Sequence, residues 1–132
     1  MSAENKTVRS ITGLQTTAGP AEESMGLVVD GAAPATSVAV PSGSSVVISD
    51  FIGGSDTNPV LWRIQQDNGS GFFDIALFEG VSALSSADPI YSYSVGLVIN
   101  GGPTTLFRVR VQTPNAGGGI GVHCTLRSYT EP

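Results

Sequence analysis

Apolar and polar residues alternate with a period of two along most of the chain, in short runs. Eight such runs stand at 26–29, 36–40, 45–49, 60–66, 72–78, 90–99, 106–111 and 120–129. Val60, Trp62 and Ile64 share one side of their run, and Leu106-Phe107-Arg108-Val109-Arg110-Val111 alternates without a break. A period of two puts every second side chain on the same side of an extended chain, the mark of a half-buried strand. The separators are turn formers: Pro41-Ser42-Gly43, Asp67-Asn68-Gly69-Ser70-Gly71, Asn100-Gly101-Gly102-Pro103 and Pro114-Asn115-Ala116-Gly117-Gly118-Gly119. Asn68-Gly69 supplies the positive-φ pair of a tight hairpin. No segment carries a helical stripe, and 81–87 has room for one helical turn at most. The pattern predicts an all-β fold: an antiparallel β-sandwich, jelly-roll-like, of about eight strands.

The first 24 residues break this pattern. They are polar, poor in aromatics and rich in Thr, Ser, Ala and Glu, with Gly19-Pro20 as a breaker near the end. The reading is an extended N-terminal arm over 1–24 in front of a β-sandwich domain over 25–132. Within the arm, Thr7-Val8-Arg9-Ser10-Ile11-Thr12 alternates and forms a strand if a neighbouring sheet edge accepts it. Thr7, Val8, Arg9 and Ile11 are therefore expected to contact a partner or a sister subunit.

Composition narrows the function. A chain of 132 residues is one domain, able to bury a core without staples. Cys124 is the single cysteine, so no disulfide closes within the chain. The net charge is -5 with one lysine, Lys6, the reverse of the basic footprint of a nucleic-acid binder. No apolar run approaches a membrane span, and the first thirty residues lack the apolar core of a secretory signal. The expectation is a protein made in a cytoplasm, with no nucleic-acid or membrane partner.

Few residues carry chemistry. His123 and Cys124 are the only histidine and cysteine, and neighbours on a strand point to opposite faces. They neither share a metal nor act as base and nucleophile. Cys124 falls in register with Val122 and Leu126, on the core side. Asp50, Asp56 and Asn58 around a Gly-Gly loop, and Asp67-Asn68, are the candidate calcium oxygens, but no calcium-loop spacing is present. Gly117-Gly118-Gly119-Ile120-Gly121 lacks the Lys-Ser/Thr of a phosphate loop. The expectation is a protein that is not an enzyme and needs no metal or cofactor.

If the last two runs pair as a hairpin over one core, Arg108, Arg110, His123 and Arg127 gather on its outer face. Such a patch suits carboxylates of a neighbouring subunit, because a guanidinium binds a carboxylate through two donors. Trp62 is in phase with core positions. Tyr91 and Tyr93 are the better candidates for an exposed aromatic pair, at a glycan or a subunit contact.

An arm, a jelly-roll-like body and the absence of a catalytic set resemble the small β-sandwich decoration or cement proteins of tailed-phage capsids. The resemblance is architectural and covers the chain, with 40–48 and 61–78 similar to β-rich virion proteins in general. It implies a homotrimeric knob on the capsid surface, bound to the major capsid protein. A carbohydrate-binding or adhesion module, and a phage tail or neck component, are the alternatives.

Overall fold

The structure is a computed structural model that describes residues 6–55, 60–80, 90–114 and 120–132, with the backbone alone for 15–17, 79–80, 90–95 and 120. Among the described residues, ten strands run in chain order. They are β1 (Thr7–Ala18), β2 (Glu23–Ser24), β3 (Leu27–Val29), β4 (Val38–Ala39), β5 (Ser45–Ser55), β6 (Val60–Asp67), β7 (Phe72–Gly80), β8 (Ile90–Asn100), β9 (Leu106–Gln112) and β10 (Ile120–Glu131). No helix occurs among the described residues. A long-stranded sheet has the order β3-β1-β10-β5-β8. A shorter one has the order β2-β9-β6-β7, with β4 also paired to β9. Every ladder is antiparallel. The expected all-β jelly-roll-like sandwich is the fold.

The alternation decides which side of each strand is buried. Ile11, Val122, Cys124, Leu126, Ile48 and Phe51 from the long sheet meet Val60, Trp62, Ile64, Phe107, Val109 and Val111 from the short sheet, all buried. Full burial of a side chain the size of Phe51 contributes about 1.5–3 kcal/mol. Phe51 meets Trp62 edge-on at 5.2 Å between ring centroids and stacks on Phe78 at 5.1 Å. Gly53 makes room for the indole, since a Cβ there would stand 2.9 Å from the Trp62 ring.

β5 holds its phase through a bulge. Arg127 pairs with Asp50 and Ser128 with Ile48, which leaves Ser49 as an extra residue whose hydroxyl donates to the Arg127 carbonyl at 3.1 Å. The extra residue puts Val46 and Ile48 on the same inner side as Phe51 and Gly53, although their numbers differ in parity.

Three expectations change. Residues 7–18 are not an arm but an interior strand, paired along β10 from Thr7↔Thr130 to Ala18↔Ile120 and along β3 at 11–13. The edge that accepts the 7–12 strand is the chain's own last strand, and Ile11 is 2% exposed in the core. The runs at 106–111 and 120–129 do not pair: β9 belongs to the short sheet and β10 to the long one. Each has an apolar side facing the same core, which their alternation could not distinguish from pairing. The β6–β7 connection is a four-residue loop, with positive φ at Gly69 and Gly71 and not at Asn68. The Asp67 carboxylate organises it by accepting from the Gly69 and Gly71 N–H groups at 2.6 and 3.0 Å.

Candidate contact faces

Each sheet has an outer face, and the two are built differently. On the short sheet, Arg63, Arg108 and Arg110 alternate outward between the buried positions of β6 and β9. Glu22, just before β2, lies between two of them. Its Oε2 accepts from Arg63 Nε at 3.0 Å and its Oε1 from Arg110 Nε at 2.9 Å. Arg110 also donates to the Ser24 hydroxyl at 2.8 Å. Arg63 Nη1 reaches Asp74 at 2.6 Å. Gln65 donates to the other Asp74 oxygen at 2.8 Å and accepts from Arg108 Nε at 2.8 Å. The Arg108 guanidinium carbon lies 3.7 Å from the Phe72 ring centroid. The hydrogen bond from Gln65, then the Arg63 contact, hold the Asp74 carboxyl below its ordinary pKa. Partial burial, then the Arg110 charge, lower that of Arg108.

Arg108 and Arg110, expected to meet a partner, thus bond within their own chain. The sandwich also separates them from His123 and Arg127, which lie on the outer face of the other sheet. The expected four-residue cationic patch does not form, because its two strands belong to different sheets.

The outer face of the long sheet is weakly charged and studded with apolar side chains. Val8 is 83% exposed, Leu14 72% and Val98 55%. Val8, Tyr129, Val47 and Val98 stand in register across β1, β10, β5 and β8. The next outward row is Ser10, Arg127 and Asp50, with the Ser94 backbone paired to Asp50. Lys6 Nζ lies 4.7 Å from the Tyr129 ring centroid. A shallow hollow of about 440 Å³ opens here, lined among others by Val8, Ser10, Ser49, Thr125, Arg127 and Tyr129. At the far end of β10, the His123 ring lies over Gly54, where a Cβ would collide with it.

Among the other candidates, Thr7 is exposed at the start of β1, opposite Thr130. Arg9 is tied to Asp30, with Nη1 and Oδ2 2.5 Å apart, and the other Asp30 oxygen accepts from the Ser10 N–H at 3.0 Å. The Ser10 N–H, then Arg9, hold the Asp30 carboxyl below its ordinary pKa. Asp30 has φ 51° and Gly31 φ 78°, the left-handed pair of a tight turn after β3. In β8, Tyr91 and Tyr93 pair through their backbones with Gly53 and Phe51, and their side chains lie outside the described residues. Asp56, Asn58, residues 81–87 and the loop at 117–119 lie outside them as well. Trp62 is buried, as its phase predicted, with no acceptor for its Nε1–H among the described residues.

Cys124 points into the core, and its burial pushes the thiol up to about 12. At neutral pH it is a protonated, inert side chain, on the opposite side of β10 from His123. No group of three or more His, Cys, Asp or Glu side chains suited to a metal occurs among the described residues. Glu22 and Asp30 were missed by the sequence reading. Asp30-Gly31 is a legible turn signal, whereas nothing near Glu22 in the sequence points to arginines 41 and 88 residues away.

No family model matches the chain, and no curated protein does. Among solved structures, its fold is similar to that of the Eiger TNF from S. frugiperda. The TM-score is 0.50 over 91% of this chain and 91% of that one, at 14% sequence identity. The likeness is one of fold: a two-sheet jelly-roll sandwich over nearly the whole chain.

Proposed function

We propose that this protein is a non-enzymatic structural subunit that works by surface contact, as a decoration or cement protein that binds the major capsid protein on the outside of a viral capsid. One observation carries the reading: the outer face of the long sheet presents Val8, Leu14 and Val98 to solvent with few charges around them. Val8 and Val98 stand in one row with Tyr129 and Val47 between them, and an exposed apolar row on a rigid sheet marks a surface that another protein covers. Covering them contributes about 25 cal/mol per Å² of apolar area, with little ordering cost because the strands are already in place. The contact is therefore assigned to this face, and Arg108 and Arg110 serve the fold. The test is cryo-electron microscopy of the purified particle. Density for a two-sheet domain on the outer shell, with the long sheet against its neighbour, is the expected result. Particles without this chain, or with it docked through the short sheet, would refute the reading.

A carbohydrate-binding module is the second reading, favoured by the Tyr129 ring at a hollow that also holds Ser10, Ser49, Thr125 and Arg127. It requires glycan binding that Tyr129→Ala abolishes, and a blank glycan array counts against it.

A further inference from the structure

A cavity of about 180 Å³ lies between the sheets at one end of the sandwich, on the inner side of the long sheet. Its apolar wall is made by Ile11 of β1, Val29 of β3, Val38 of β4, Val46 of β5 and Val40. Ile11, Val40 and Val46 belong to the buried core, whereas Val29 and Val38 are half-buried. β3 ends the long sheet and β4 is a two-residue strand on β9, so these two valines stand where the sheets part. The polar residues of the wall are Arg9, Ser44 and Thr130. Arg9 shares the inward side of β1 with Ile11 and Gly13, and Asp30 already balances its charge. Ser128, the cross-strand neighbour of Arg9, is 5% exposed and has no partner for its hydroxyl among the described residues. Thr130 and Val46, both in the cavity wall, form the next inward row. A finished core rarely keeps a hydroxyl in that state, because a buried donor without an acceptor costs stability.

We infer that this cavity binds a small neutral molecule with a compact apolar body and one hydroxyl group, such as a simple phenol. Size sets the body. An apolar cavity of about 150 Å³ with aliphatic and aromatic walls stays dry and takes benzene. At about 180 Å³ this one has room for a single ring with a small substituent. The lining sets the class. Branched aliphatic side chains offer nothing to a polar group, so a ligand's polar atom must lie on the Ser44 and Thr130 side of the wall, which fixes its orientation. Charge sets neutrality. A carboxylate could reach Arg9 only by displacing Asp30, which the Ser10 N–H also holds, and a cation would face the guanidinium. Access comes from the half-buried valines at the parting of the sheets, so entry does not require the core to open. The inference is independent of the contact face and of the virion setting, because such a ligand touches the inner side of the long sheet.

The test is an NMR titration of the full chain at pH 7 with p-cresol, which is neutral there, and with benzoate, which is ionised. p-Cresol should give saturable shifts with Kd below about 1 mM, centred on Ile11, Val29, Val38, Val40 and Val46. Benzoate should bind at least about tenfold more weakly. Val38→Phe fills the cavity from its half-buried lip and should weaken p-cresol at least about tenfold, with circular dichroism to check the fold. Should Val38→Phe not fold, Val29→Phe fills the same space from β3. Asp30→Asn frees Arg9 and should tighten benzoate at least about tenfold, while asparagine tolerates the positive φ of that turn. Shifts that do not saturate or do not centre on these residues, p-cresol binding that survives the filling variant, benzoate held as tightly as p-cresol, or no gain in Asp30→Asn each overturns the inference. A chain that takes no p-cresol but still docks on its capsid through the long sheet would leave the proposed function standing.

Discussion

The two outer faces of one sandwich handle polarity in opposite ways. On the short sheet every arginine has a partner in its own chain, and the Glu22 carboxylate is shared between Arg63 and Arg110. That face is internally satisfied and offers a partner few open donors. On the long sheet the outward positions of β1 and β10 carry Val8, Leu14 and Tyr129, and Val98 stands out from β8. A net charge, or a count of arginines, does not distinguish a paired face from an open one. What counts is whether a charged group is already paired, because a paired guanidinium must lose its partner before it can bind another.

The comparison breaks hardest at two adjacent glycines of β5. Gly53→Ala puts a methyl 2.9 Å from Trp62 and 3.0 Å from Phe51. It should cost about 1–3 kcal/mol in denaturant unfolding, the usual range for overpacking a core. Gly54→Ala faces outward against the tip of the His123 ring, which can swing aside, and should cost within about 0.5 kcal/mol. Equal costs would mean that the two sides of the long sheet are not core and surface.

Glu22→Ala probes the short sheet. It leaves Arg63 and Arg110 without their shared carboxylate. These side chains are 24–28% exposed, so water compensates in part, and a loss of about 1 kcal/mol is expected. Binding to particles that lack the chain should not change; a fall in both would place the contact on the short sheet.

Acid should act on both sheets through Asp74 and Asp30. Their folded pKa values lie below the ordinary 3.8, so the stabilisation they give is complete above that value and is lost as pH falls through the folded values. Asp74→Asn should flatten the acid limb of a stability–pH curve. An unchanged limb would show that the Gln65 and Arg63 bonds do not hold the carboxylate. At the other extreme, the Cys124 thiol rises from 9.0 unfolded to about 12 folded, so stability should fall with pH between those values. At pH 8 a thiol reagent should label Cys124 only as fast as the core opens. Rapid labelling of the folded chain would place the thiol outside the core.

The smallest effect on stability is expected at Val8→Asp and Leu14→Asp, within about 0.5 kcal/mol because both side chains are largely exposed. Binding to particles that lack the chain should nevertheless be lost in Val8→Asp, which separates a contact surface from a structural one.

Much of this was readable in advance. The alternation at Val60, Trp62 and Ile64, and at Phe107, Val109 and Val111, fixes their burial, because a strand has only two sides. Cys124 in phase with Val122 and Leu126 is buried for the same reason. What alternation does not carry is the identity of the neighbouring strand. Arg108 and His123 were therefore assigned one face when they lie on opposite sides of the molecule. Residues 1–24 were read as an arm because Thr, Ser, Ala and Glu dominate them; in the sheet, Gly13 lies where a Cβ would stand a tight 3.0–3.3 Å from Cys124, Met25 and Leu27. The length of β5 was hidden by the Ser49 bulge, which shifts the phase of its apolar residues in mid-strand. The arginine network was invisible because its carboxylates are distant in sequence.

Binding to particles that lack this chain tests a contact through the long sheet's outer face most directly. Wild type and Glu22→Ala should bind alike, and Val8→Asp, on the exposed row of β1, should not bind. Binding that survives Val8→Asp and is lost in Glu22→Ala would place the contact on the short sheet.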